Sequence, residues 1–188
     1  MGRLRGGTLY YPYKLTPLRN LLSRALENGA KRVCEVGFNM GHSSLLWLMN
    51  SAQDVTVLAF DLGEHPYSAR AAHYLADRFR GRIEVVFGDS TETIERHKPS
   101  VLCDVIFVDG GHTEEVAYSD IKSLRRLATE NTILIVDDIN QDPVERAWER
   151  ARSEGLVEVH GEVYEDAFFG DSRGSRSAMI YGTYIDAD

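Results

Sequence analysis

Short runs of branched and aromatic residues, each followed by a longer helical pattern, constrain this chain more than anything else in it. Arg32–Val36, Val55–Phe60, Ile83–Phe87, Asp104–Val108 and Thr132–Val136 read as strands. The helical patterns between and after them cover Ser43–Asn50, Ser68–Arg80, a short stretch from about Glu92, Glu114–Ala128 and Pro143–Glu154. Pro143 suits a first helical turn, where its missing N–H costs nothing. A run such as Val105-Ile-Phe-Val is apolar on both sides, which requires helices on both faces of the sheet. Strand–helix alternation then predicts a parallel sheet with right-handed crossovers. The ending departs from the rule. Leu156–Tyr164 and Ala178–Ile185 read as strands joined by the polar loop Asp171-Ser-Arg-Gly-Ser-Arg, with no helix between, so this pair is expected to be antiparallel.

Before the first strand lies one amphipathic helix, read as Pro17–Asn28 and closed by Gly29. The 188 residues suffice for a single domain. It divides into an N-terminal helical segment (1–30), a core (31–140), and a last helix with the strand pair (141–188). The formal net charge of −8 gives no attraction to nucleic acid or to an anionic membrane. No apolar run is long enough for a membrane span. Met1-Gly-Arg-Leu-Arg-Gly-Gly has no apolar signal core. Cys34 and Cys103, in or beside apolar runs, read as buried, reduced thiols, too few for a zinc site. The expected setting is therefore reduced and cytoplasmic.

In an open α/β sheet, ligands bind beyond the carboxyl ends of the strands. Strand one ends Glu35-Val-Gly37-Phe-Asn39-Met-Gly41-His-Ser43, a glycine loop opening onto a helix N-terminus. The dinucleotide fingerprint G-x-G-x-x-G is not met, which disfavours a nicotinamide enzyme. Strand two ends Asp61-Leu62, a carboxylate placed to accept ribose hydroxyls. Strand three ends Asp89-Ser90, side chains suited to an adenine edge or equally to an N-cap. Each end alone has a structural reading as a turn or cap; the set together is far more specific.

On these residues, from about Arg32 to Asn140, the chain resembles the class I S-adenosylmethionine-dependent methyltransferases. Glu35-x-Gly37-x-x-x-Gly41 looks like that family's first motif, Asp61 like its ribose-binding acid, and Asp89-Ser90 like its adenine-binding pair. The resemblance implies a Rossmann-like, doubly wound, seven-stranded sheet of order 3-2-1-4-5-7-6 with strand seven antiparallel. It implies cofactor contacts from Glu35, Gly37, Asn39, Gly41, Ser43, Asp61, Leu62, Asp89, Ser90 and Asp109.

Strand four ends Asp109-Gly-Gly-His112 and strand five ends Asp137-Asp138. Three carboxylates on one rim repel unless something neutralises them. A divalent cation such as Mg²⁺ would do so, and would acidify an acceptor hydroxyl; His112 would then take the proton. The alternative is that these aspartates cap helices. The pattern resembles the catechol-type and related bacterial small-molecule O-methyltransferases. That implies metal positions at Asp109, Asp137 and Asp138 and catalytic roles for His112 and Asp109. Gly111 stands where the catechol enzyme stacks an aromatic ring on adenine, so that stack is absent or comes from Tyr67 or Phe60. The acceptor side is expected from Tyr10, Tyr11, Tyr13, Phe168 and Phe169, and is either open or completed by a second subunit of a homodimer. The expectation is O-methylation of a small-molecule hydroxyl. Its alternatives are a metal-independent methyltransferase acting on a sugar, amine or peptide, and a non-catalytic nucleoside-binding module.

Overall fold

A computed structural model of the chain describes residues 12–164 and 177–185, with the side chains of residues 14–163 and 178–185. The strands are β1 (Arg32–Val36), β2 (Thr56–Asp61), β3 (Ile83–Phe87), β4 (Cys103–Val108), β5 (Ala128–Asp137), β6 (Val157–Tyr164) and β7 (Ser177–Tyr184). The helices are α1 (Pro12–Glu27), α2 (His42–Met49), α3 (Pro66–Arg78), α4 (Ser90–Arg96), α5 (Glu114–Leu124) and α6 (Asp142–Ser153). They form one seven-stranded sheet of order β3-β2-β1-β4-β5-β7-β6. β7 runs antiparallel to both β5 and β6, and the other pairings are parallel. The topology is the expected one, and it puts the C-terminal ends of β1, β2, β4 and β5 on one rim.

Strand alternation divides the core into layers. Cys34, Val36, Leu58, Phe60, Ile106, Val108, Leu134 and Val136 face α4, α5 and α6, with Ile121 and Trp148 packed on them. Val33, Val57, Val105, Phe107 and Ile135 face the other side, where Leu18, Leu21, Leu22 and Ala25 of α1 and Leu46 and Trp47 of α2 cover them. A smaller cluster of Phe38, Ala59 and Leu75 seats α3. Among the described residues no helix is long and apolar enough to cross a membrane.

The structure corrects several expectations. α1 starts at Pro12, with Pro17 inside it rather than at its first turn. One backbone bond is lost at Pro17, and burial of the Leu18/Leu22/Ala25 stripe outweighs it. The pattern read as a helix to Ala128 ends at Leu124, passes through a 3-10 turn (Arg125–Leu127), and becomes strand at Ala128. Cys34 and Cys103 are not reduced thiols: they form a disulfide joining β1 to β4. Cys103 lies in the core layer that carries Cys34 and Ile106, beside a register irregularity between β4 and β5.

Candidate active site

The β1–α2 loop is shaped by its neighbours. Gly37 sits at φ 97°, and a Cβ there would fall 1.8 Å from the Asp109 carbonyl oxygen. Only glycine lets the first loop lie directly against the end of β4. Asn39 is left-handed at φ 49° and donates its backbone N–H to Asp61 Oδ2 at 2.7 Å. Asp61 Oδ1 accepts the Gly63 N–H at 2.8 Å. One carboxylate thus ties the loops after β1 and β2 together. Beside it Leu62 is an apolar surface, 57% exposed. Asn39 Oδ1 is buried and has no hydrogen-bond partner among the described residues. Such an orphaned acceptor calls for a ligand or water.

Asp89 caps α4, its Oδ1 accepting the Thr91 N–H at 2.9 Å and the Thr91 hydroxyl at 2.7 Å. Those bonds hold its carboxyl below the usual range. Ser90 follows as the first residue of α4. Asp89-Ser90 therefore builds the cap and lines the same rim.

Glu35, Ser43, Phe60 and Tyr67 make contacts within the protein. Glu35 is fully buried beneath α2, where it accepts the Ser44 hydroxyl and Trp47 Nε1–H at 2.9 Å. It anchors α2 to β1. Burial raises its pKa from 4.5 to about 7, against the pull of donors from Ser44, Ser43 and Trp47. Ser43 is buried with it. Phe60 is also wholly buried, its ring edge-on to His97, so it offers no stack to an adenine. Tyr67 is stacked instead on His65, ring centroids 4.8 Å apart. Tyr10, Tyr11, Phe168 and Phe169 lie outside the described residues, as does the side chain of Tyr13.

At the ends of β4 and β5 the carboxylates converge, but not as a set of three around one point. Asp109, His112 and Asp138 bring ligand atoms within 4.8 Å of one another. Asp137, next to Asp138 in sequence, faces inward, 3% exposed, and pairs with Lys14 at 2.7 Å. Lys14 rises from α1, is itself buried, and also reaches Asp138 Oδ1 at 3.1 Å. Asp138 Oδ2 accepts His112 Nε2–H at 2.9 Å and Gln141 Nε2–H at 3.0 Å. Asp138 sits at φ 55°, with its N–H bonded to Asp137 Oδ1 at 2.8 Å. A left-handed aspartate is uncommon and marks a position that its surroundings over-determine.

The charges follow from these contacts. Burial, with Asp137 and Asp138 nearby, pushes the Asp109 carboxyl well above the carboxylate range. Burial also raises Asp137, with Lys14 opposing. Burial works to raise Asp138 too, but His112 and Lys14 outweigh it and leave it at about 2. The Asp138 hydrogen bond raises His112 above its ordinary value, against burial. Burial would lower Lys14, yet Asp137 and Asp138 hold it as an ammonium. Lys14 and Gln141 were both missed in the sequence. Lys14 shares a helix face with Leu18, Leu21 and Ala25, but that signal is visible only if α1 begins before Pro17.

Residues 34–139 match a family model described as "Methyltransferase domain". The O-methyltransferase ankF of Aspergillus thermomutatus is 29% identical over 115 residues, 61% of this chain and 48% of that protein. The chain thus spans about half the length of the curated relative it matches. An O-methyltransferase from Bacillus cereus, solved in complex with SAH, superposes with TM-score 0.70 at 20% identity, covering 92% of this chain and 81% of that one. The O-methyltransferase TomG from Streptomyces achromogenes, involved in tomaymycin synthesis and solved with SAM, superposes with TM-score 0.68 at 17% identity, covering 89% and 79%.

Proposed function

The chain belongs to the methyltransferase-domain family, and on that premise we propose that it is a class I, S-adenosylmethionine-dependent enzyme that methylates a hydroxyl group of a small molecule. The observation that carries the reading is the His112–Asp138 pair, 2.9 Å apart on the rim where the first loop and Asp61 also end. The name O-methyltransferase shared by the relatives supports it.

The residues fit the cofactor. The Gly37–Gly41 loop with its orphaned Asn39 Oδ1 suits a polar tail. Asp61 suits a ribose diol, and exposed Leu62 beside it suits the flat face of a base, with Asp89 and Ser90 at its edge. S-adenosylmethionine supplies an electrophilic methyl group when bound. The protein's own task is the proton. His112 holds Nε2–H toward Asp138, which leaves Nδ1 to accept the acceptor's hydroxyl proton. Asp138 then steadies the imidazolium through the same bond, and Gln141 and Lys14 fix Asp138. His112 is 46% exposed, open to a substrate.

A second reading follows from Asp109, His112 and Asp138, whose donors could hold a divalent cation such as Mg²⁺. As placed they do not fit one: both Asp138 oxygens already accept N–H donors, and Asp137 is committed to Lys14. A doubly charged ion about 4 Å from the ammonium would be repelled by roughly 8 kcal/mol at an effective dielectric of about 20. The ion fits only with Lys14 withdrawn.

The test is a screen of phenols and sugar alcohols with S-adenosylmethionine, reading S-adenosylhomocysteine release and the methylated product by mass spectrometry, with and without EDTA. A methyl ether that forms in both arms supports the first reading; loss in EDTA, restored by Mg²⁺, supports the second. Methylation confined to nitrogen, or no S-adenosylhomocysteine binding, would overturn both.

A further inference from the structure

We propose that Lys14 is the resident cation of this site, doing from within the chain what a divalent ion would do for its carboxylates. This rests on the methyl-transfer reading above. The problem posed by the sequence is three aspartates on one rim, and the structure answers it with α1. The Leu18/Leu21/Ala25 face seats that helix on the sheet beside β4 and β5. Its first full turn then carries Lys14 over the strand ends. The ammonium lies 2.7 Å from Asp137 and 3.1 Å from Asp138, with its side chain 8% exposed. One buried and one partly buried carboxylate on a buried ammonium form a closed arrangement, since the Asp137–Lys14 pair broken at either partner would leave an uncompensated buried charge.

The arrangement also sets the proton acceptor. Lys14 takes Oδ1 of Asp138, which leaves Oδ2 for His112 and Gln141. Lys14 is thus a positioning residue, acting on the substrate through Asp138 and His112. A chain that spends its carboxylates this way has little affinity left for a metal, and creating that affinity is what removal of Lys14 should do.

The experiment titrates Mn²⁺, followed by electron paramagnetic resonance, into the full chain saturated with S-adenosylhomocysteine. Wild type, Lys14→Met and Lys14→Arg are compared; methionine keeps most of the packed stem. Wild type and Lys14→Arg should bind Mn²⁺ no better than in the millimolar range. Lys14→Met should bind about tenfold tighter or more, the scale on which neighbouring groups tune metal sites. Its turnover, on an acceptor found by the screen, should fall and be restored by arginine. Micromolar Mn²⁺ binding by wild type would overturn the proposal, and so would unchanged Mn²⁺ affinity in Lys14→Met. If Lys14→Met does not fold, wild type and Lys14→Arg still decide: tight Mn²⁺ binding by either sinks it, and weak binding with EDTA-resistant turnover by both sustains it. Failure of the parent reading shows separately, as wild-type turnover in His112→Ala whatever the Mn²⁺ result.

Discussion

Replacing Glu35 by glutamine should stabilise this protein above neutral pH. The wild-type carboxyl is wholly buried, with Ser44 on one oxygen and Trp47 on the other. Burial raises its pKa from 4.5 to about 7, more than those donors lower it. Between these values the folded chain holds a proton that the unfolded chain releases. Its contribution to stability is therefore fully present below about pH 4.5 and is lost as the pH rises through 7. The 2.5-unit difference (7 − 4.5) corresponds to roughly 3 kcal/mol. Glutamine abolishes this titration without orphaning a partner. Its carbonyl can accept from Trp47, and its amide can donate to the Ser44 oxygen, since a hydroxyl serves either way. Thermal and urea melts across pH 5 to 8.5 provide the assay. Near pH 5 the two proteins should melt together. Near pH 8.5 the variant should melt about 6–12 °C higher, as a domain of this size shifts by some 2–4 °C per kcal/mol. Parallel pH profiles, or a variant less stable at pH 8.5, would refute the reasoning and show the carboxylate to be well solvated or its charge to be matched.

Gly37→Ala should destabilise by about 1–3 kcal/mol or more, as overpacking does, because its Cβ meets the Asp109 carbonyl at 1.8 Å and φ is 97°; urea denaturation measures it, and wild-type stability would mean that the loop stands away from β4. Asp61→Ala should weaken S-adenosylhomocysteine by about 2 kcal/mol in calorimetry, the scale of charge-assisted hydrogen bonds; unchanged affinity would place the nucleoside elsewhere. His112→Ala should lower turnover by roughly 10²–10⁴-fold while leaving S-adenosylhomocysteine affinity intact. Wild-type turnover should rise with pH through a midpoint above 6.5, because Asp138 raises His112 against burial and only the unprotonated ring accepts a proton. A flat profile with chemistry limiting would remove His112 from the proton step.

A mostly parallel sheet with a reversed ending was legible from strand periodicity and helix coverage, whereas its order came only from the resemblance to the methyltransferase family. Apolar runs such as Val105–Val108 must be covered on both faces, and the helix-free ending must reverse direction. The positions of Asp61, Asp109 and His112 followed, since strand ends in a parallel sheet share one rim. Glu35 was legible in principle: it alternates with Val36, so period two turns it to the face where Val33 meets α2. What only the tertiary structure decided is where neighbouring side chains point once a strand has ended. Asp137 and Asp138 are adjacent and chemically alike, yet a left-handed turn at Asp138 sends one inward to Lys14 and the other outward to His112. Cys103 meets Cys34 although strand alternation places it with Val105, on the opposite face, and no residue pattern announces the pairing. Lys14 lies 123 positions before Asp137 (137 − 14), and only the seating of α1 on the finished sheet brings its charge there. Local periodicity encodes which face a residue takes; contacts between distant elements depend on the packed whole, and the charge balance of this site is one of them.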